Sequence, residues 1–141
     1  RRADMVARPG ATGVAVQGLL LVFLGAGIGG SMRHGVNLAA QALWGTTLPF
    51  GTLAVNVAGS FAMGLLAGWV APRFDPGDAW RLFLGTGVLG GFTTFSAFSL
   101  DVVTLFERGE MAPALGYVLG SVVLSVAALF IGLLLMRALP A

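Results

Sequence analysis

Four apolar runs occupy most of this chain and leave it few ways to fold. They extend from about Val14 to Leu43, Phe50 to Val70, Ala79 to Phe106 and Met111 to Leu139. A bilayer core takes roughly 20 apolar residues per helix, and each run is long enough. Inside lipid the main chain must satisfy its own hydrogen bonds, which a helix does without help. Composition agrees: 57% of the 141 residues are hydrophobic and 10% are charged, against about 25% charged in soluble domains. The expectation is an all-α protein with four transmembrane helices, forming one membrane domain over residues 14–141 behind a polar tail over residues 1–13. That tail lacks the pattern of a cleavable signal, because the apolar run after it is too long.

The punctuation between the runs is loop-like. Trp44–Pro49 separates the first two runs. Pro72, Pro76 and Gly77, with Arg73, Asp75 and Asp78, separate the second from the third, and Glu107–Glu110 precedes the fourth. All eight basic residues are arginine and the formal charge is +2. They are scattered, so there is no clustered basic face of the kind nucleic acid requires. With no cysteine, thiolate sites are excluded, and one histidine, His34, cannot build a zinc site alone. Arg1, Arg2, Arg8, Arg73, Arg81 and Arg137 fall on one side of the membrane, against Arg108 and nearby Arg33 on the other. That bias places both termini in the cytoplasm. It shrinks without Arg1 and Arg2, and does not fix a single orientation.

The third run carries an anomaly: Gly90-Gly91-Phe92-Thr93-Thr94-Phe95-Ser96-Ala97-Phe98-Ser99. Glycines and hydroxyls there predict a helix break near Gly90–Thr94. Irregular main chain at membrane depth persists where protein buries it or where it lines a cavity. Such breaks mark ion and substrate sites, because freed carbonyls and amides become ligands. Glycines recur four apart at Gly25/Gly29, Gly64/Gly68, Gly87/Gly91 and Gly116/Gly120, the spacing that lets membrane helices approach closely.

Two runs also carry polar stripes. Thr52, Asn56 and Ser60 lie four apart in the second, and Tyr117, Ser121 and Ser125 in the fourth, so each set shares one helix face. Facing lipid would be costly, so both stripes face inward. They serve either as interhelical hydrogen bonds, worth about 0.6 kcal/mol each, or as a polar pathway. Phe95 and Phe98 follow the break. They are core packing, or their positive ring edges face a pore and hold an anion weakly enough to release it. Arg33 either snorkels to the headgroups or is buried and neutralised. Asp101 is either buried with a partner or sits at a vestibule.

Taken together these residues resemble the Fluc family of bacterial fluoride channels, also called CrcB-like proteins. The resemblance rests on Gly25-Ala26-x-x-Gly29-Gly30-x-x-Arg33, Gly51-Thr52-Leu53-x-Val55-Asn56-x-x-Gly59-Ser60-Phe61, Gly87-x-x-Gly90-Gly91-Phe92-Thr93-Thr94-Phe95-Ser96-x-Phe98-Ser99, and the Tyr117, Ser121, Ser125 spacing. It implies a multi-pass channel of the bacterial cytoplasmic (inner) membrane that passes fluoride passively and is not an enzyme. It implies an antiparallel homodimer of dual topology with a structural sodium ion at its centre, held by the carbonyls of Gly90 and Thr93. The implied fluoride pathway comprises Asn56, Phe95, Phe98, Tyr117, Ser121 and Ser125, with Arg33 near the vestibule. Two positions depart from the family pattern: Ala97 where a hydroxyl is common, and Asp101 where glutamate is frequent.

Other functions fit less well. A proton-coupled four-helix multidrug transporter needs an intramembrane acid, and Asp101, near a helix end, is the only candidate. A packing subunit without transport of its own would use the stripes as interhelical bonds alone. An intramembrane hydrolase needs a base for a serine, and His34 has no serine partner at motif spacing.

Overall fold

The computed structural model describes residues 11–70 and 78–139. Residues 1–10 of the expected tail and most of the second loop, with Arg1, Arg2, Arg8 and Arg73, lie outside the described residues. Among those described, all regular structure is helical. The elements are α1 (Ala11–Trp44), α2 (Phe50–Val70), α3, α4 (Phe95–Glu107) and α5 (Met111–Ala138). α3 is a π-helical stretch, Arg81–Leu89, that closes into one α-turn, Gly90–Phe92. α1, α2, α5 and the tandem of α3 and α4 are each long and apolar enough to cross a membrane. α1 begins at Ala11, three residues ahead of the expected start, while α2 matches the expected Phe50–Val70.

Glycine turns end two of the crossings. Gly45, at φ 74°, follows α1 and donates its N–H to Gln41 at 2.9 Å. Gly109, at φ 77°, follows α4 and donates to Phe106 at 3.0 Å. A left-handed residue there satisfies the last helix carbonyls, and glycine adopts it without strain.

The helices pack as two tight pairs, α1 on α3 and α2 on α5. Each pair meets at glycines. A Cβ on Gly25 would lie 2.6 Å from the Phe83 carbonyl oxygen, and one on Gly91 2.6 Å from that of Ala26. On the other pair, a Cβ on Gly68 would meet Met136 Cβ at 2.7 Å, and one on Gly132 would collide with the Phe61 carbonyl. Lipid supplies no hydrophobic drive between helices, so this close main-chain contact carries the association. Three of the four expected glycine pairs lie at these contacts. The fourth differs: Gly116 and Gly120 have nothing within 4 Å.

The glycine end of the expected break at Gly90–Thr94 is helical in the structure. Gly90 is helical, with φ −64° and ψ −37°. Only Thr93 (ψ 155°) and Thr94 (φ −153°, ψ 118°) are extended. Gly91 serves the approach to α1, and the threonines carry the change of direction. Thr93 Oγ1 donates back to the Leu89 carbonyl at 2.9 Å, closing the end of α3. Thr94 Oγ1 accepts the Ala97 N–H at 3.1 Å, capping the start of α4. Threonine at that position satisfies an otherwise orphaned N–H.

These contacts set an expectation for folding. Gly29 lies against the Val88 carbonyl and the Phe92 N–H, and main chain cannot yield as a side-chain tip can. Gly29→Val is expected to cost about 1–3 kcal/mol of stability and to lower the thermal unfolding midpoint in detergent. Gly13→Ala, where nothing lies within 4 Å, is expected to leave that midpoint in place or raise it.

Candidate functional site: a donor-lined hollow beside Thr93 and Thr94

A hollow of about 360 Å³ lies where α2, the start of α4 and α5 converge. α2 contributes Asn56 and Ser60, the extended residues contribute Thr93 and Thr94, α4 contributes Phe95 and Phe98, and α5 contributes Ser121 and Ser125. Both polar stripes therefore send members to the same space. None of its lining side chains is ionisable.

Asn56 is held on one edge. Its Oδ1 accepts the Thr94 N–H at 2.8 Å, and its Nδ2 donates to the Thr94 carbonyl at 3.0 Å. In a continuous helix the Thr94 N–H would go to the Gly90 carbonyl, so the side chain of α2 replaces a helical bond.

The serines of α5 behave unusually for helical hydroxyls. Ser31, Ser99 and Thr104 each donate to the carbonyl four residues back, at 2.8, 2.9 and 2.9 Å, the usual refuge for a hydroxyl in a helix. Ser121 and Ser125 do not: both hydroxyl oxygens are buried and have no hydrogen-bond partner. Each keeps an O–H donor available to something in the hollow.

The aromatic residues form a chain. Phe95 and Phe98 have centroids 5.5 Å apart, and Phe98 and Tyr117 5.4 Å apart, all tilted. Phe98 is buried at 9% exposure, whereas Phe95 is 79% exposed at the open side of the hollow. The hollow also adjoins the N-terminus of α4, where unpaired N–H groups and the helix dipole favour negative charge.

A second hollow of about 260 Å³ opens beside the α1–α2 loop, with Thr52, Ala97, Asp101, Thr104 and Arg108 among its lining residues. Thr52 stands one helical turn from Asn56. Between the two spaces, the Tyr117 hydroxyl donates to Asp101 Oδ2 at 3.1 Å. Asp101 is thus half-buried with a phenol partner and lines the second hollow.

The structure brings together Asn56, Phe95, Phe98, Ser121 and Ser125, with Tyr117 adjoining through Phe98. Arg33 does not join them: it is half-buried on α1 and lines neither hollow. The sequence reading missed the Thr94 main chain as the partner of Asn56. A threonine preceding a helix start is a capping signal, but its pairing with Asn56, 38 residues away, is set by tertiary structure. Among the described residues no group of three or more His, Asp or Glu is placed to hold a metal.

Comparison with known proteins places the chain in a family. The family model described as "CrcB-like protein, Camphor Resistance (CrcB)" matches residues 20–133. Fluoride-specific ion channel FluC 2 of Nitrobacter hamburgensis is 56% identical over 118 residues, covering 84% of this chain and 95% of that protein. Fluoride-specific ion channel FluC of Methylobacterium nodulans is 58% identical over 118 residues, covering 84% and 94%. The protein of the same name from Chelativorans sp. is 58% identical over 121 residues, covering 86% and 97%. The chain belongs to the CrcB-like family.

The unpaired serines lead to a direct expectation. A buried polar group left unsatisfied costs about 1–3 kcal/mol, so Ser121→Ala and Ser125→Ala should each leave stability unchanged or raise it. Thermal unfolding in detergent tests this, and a clear loss of stability would mean that the hydroxyl has a partner.

Proposed function

We propose that this member of the CrcB-like family is a passive, fluoride-selective channel of the bacterial cytoplasmic membrane, releasing cytoplasmic fluoride down its electrochemical gradient. The observation that carries this reading is the hollow at Asn56. It gathers an amide, two unpaired hydroxyls and two phenyl rings, and its lining has no ionisable side chain. Fluoride is small and holds its water strongly, so its path must replace that water with donors. Asn56 N–H and the O–H groups of Ser121 and Ser125 provide them. The ring edges of Phe95 and Phe98 add weak positive potential, enough to favour an anion without trapping it.

The ion enters or leaves through the hollow lined by Asp101 and Arg108, passing the Tyr117 hydroxyl. No acid is needed in the hollow at Asn56 to carry a proton, so flow follows the gradient alone. A negative-inside potential of 100 mV drives each anion outward with about 2.3 kcal/mol. Arg33 receives no step in this path. The multidrug-transport reading is weaker, because Asp101 lines the second hollow, bonded to Tyr117, and not the hollow at Asn56.

The working unit in this reading is an antiparallel homodimer of dual topology, with Thr93 and Thr94 as the functional break of the third crossing. Two features support a second copy. Phe95 is 79% exposed beside the hollow, and Gly116 and Gly120 have open space against them. A structural sodium ion at the dimer centre belongs to the same reading. With the Thr94 N–H given to Asn56, the Gly90 carbonyl loses its helical donor, and the Thr93 carbonyl lies in extended chain. Carbonyl oxygens suit such a hard cation, so Gly90 and Thr93 would hold it. Its charge would offset the repulsion between facing carbonyls of two copies.

Fluoride efflux from liposomes loaded with purified protein, followed by a fluoride electrode, tests the pathway. Phe95→Ile and Phe98→Ile keep bulk and remove the ring edge. Each is expected to slow efflux on the order of tenfold, the rate equivalent of about 1.4 kcal/mol, without loss of folded protein. Parent rates in both variants would defeat the pathway. Dual topology is tested separately, by labelling a single site at the C-terminus in whole cells. Label from both sides of the membrane is expected, and label from one side alone would rule it out.

A further inference from the structure

Asn56 has a second property besides its place in the hollow. A carboxamide can turn its oxygen or its nitrogen toward a ligand, and the two ends have opposite polarity. Here the choice is made by Thr94. Its N–H can only donate and so must face Oδ1; its C=O can only accept and so must face Nδ2. The observed distances of 2.8 and 3.0 Å satisfy both. The reversed orientation would set Oδ1 against a carbonyl and Nδ2 against an N–H, leaving four polar groups repelled in a low-dielectric site.

Thr94 is fixed in its turn. Its side-chain oxygen accepts the Ala97 N–H at 3.1 Å and lies 3.2 Å from Ser96 Oγ. Gly59, one turn beyond Asn56 on α2, lies against Thr93 Cγ2, so α2 and the extended residues are locked in register. The Thr94 residue itself is buried at 7% exposure.

From this geometry we infer that the Thr94 main chain is a positioning element: it holds the Asn56 carboxamide in the one orientation that presents an N–H donor to the hollow. This rests on the proposed fluoride pathway and goes further. Asn56 alone does not make an anion ligand; Asn56 clamped by Thr94 does. The extended conformation of Thr94 is what makes the clamp possible, since a helical Thr94 would give its N–H to Gly90.

The test removes the N–H half of the clamp and keeps every side chain. Semisynthesis replaces the amide linking Thr93 to Thr94 by an ester, deleting the Thr94 N–H. Fluoride efflux is measured from liposomes holding full-length dimer in four forms: parent, ester, Asn56→Ala, and ester combined with Asn56→Ala. The ester alone is expected to slow efflux about tenfold, and to add nothing once Asn56 is alanine. Such non-additivity isolates the coupling between the two groups, which a general weakening of the fold would not produce. An ester that conducts at the parent rate overturns the inference. So does an ester that slows the Asn56→Ala protein by the same factor as the parent. A parent protein that carries no fluoride overturns the channel reading itself, and this inference with it.

Discussion

Every main-chain polar group at membrane depth needs a partner from the protein, and Thr94 takes its partner from a side chain on another helix. The paired hydrogen bonds between Asn56 and Thr94 let two residues leave helical geometry inside an apolar protein without stranding the Thr94 N–H. The rest of the site depends on that exchange. Because Thr93 and Thr94 are extended, α4 restarts beside α2 and α5, bringing its N-terminus, Phe95 and Phe98 to the hollow. A continuous helix would return the Thr94 N–H to Gly90 and leave Asn56 with two unpaired ends.

Glycine does a different task in the same region. Gly25, Gly29, Gly87 and Gly91 bring α1 and α3 into main-chain contact, while Gly64, Gly68 and Gly132 do so for α2 and α5. Two rigid pairs result, and the hollow lies beside the second pair at the start of α4. The π-helical winding of Arg81–Leu89, where the Gly90 N–H reaches back to Gly85, widens α3 just ahead of the extended residues. Such wide turns are rare and often adjoin functional sites.

The crossings were legible because hydropathy and loop punctuation act locally: Phe50–Val70 follows from its own residues. The stripes were legible because four-residue spacing fixes a face, and both stripes do reach one hollow. The resemblance to fluoride channels is matched by family membership. Other features were not local. Gly90 and Gly91 look like helix breakers, yet both remain helical, and Gly91 lies bare against Ala26 of α1. Gly116 and Gly120 share the spacing of the packed pairs but meet nothing in this chain, since spacing does not say what a face meets. The role of Thr94 was hidden because main-chain hydrogen bonding to a residue 38 positions away leaves no pattern in composition or period. Arg33 matched a family position by sequence and still lies apart from both hollows.

The central claim is that an anion, uncoupled from protons, passes a hollow lined by neutral donors. The most direct measurement is the reversal potential of purified protein in a planar bilayer under a fluoride gradient, with chloride present on both sides. The account predicts reversal at the Nernst potential of fluoride, unmoved by a superimposed pH gradient. A reversal potential that follows the pH gradient, or that settles at the value for chloride, would contradict it.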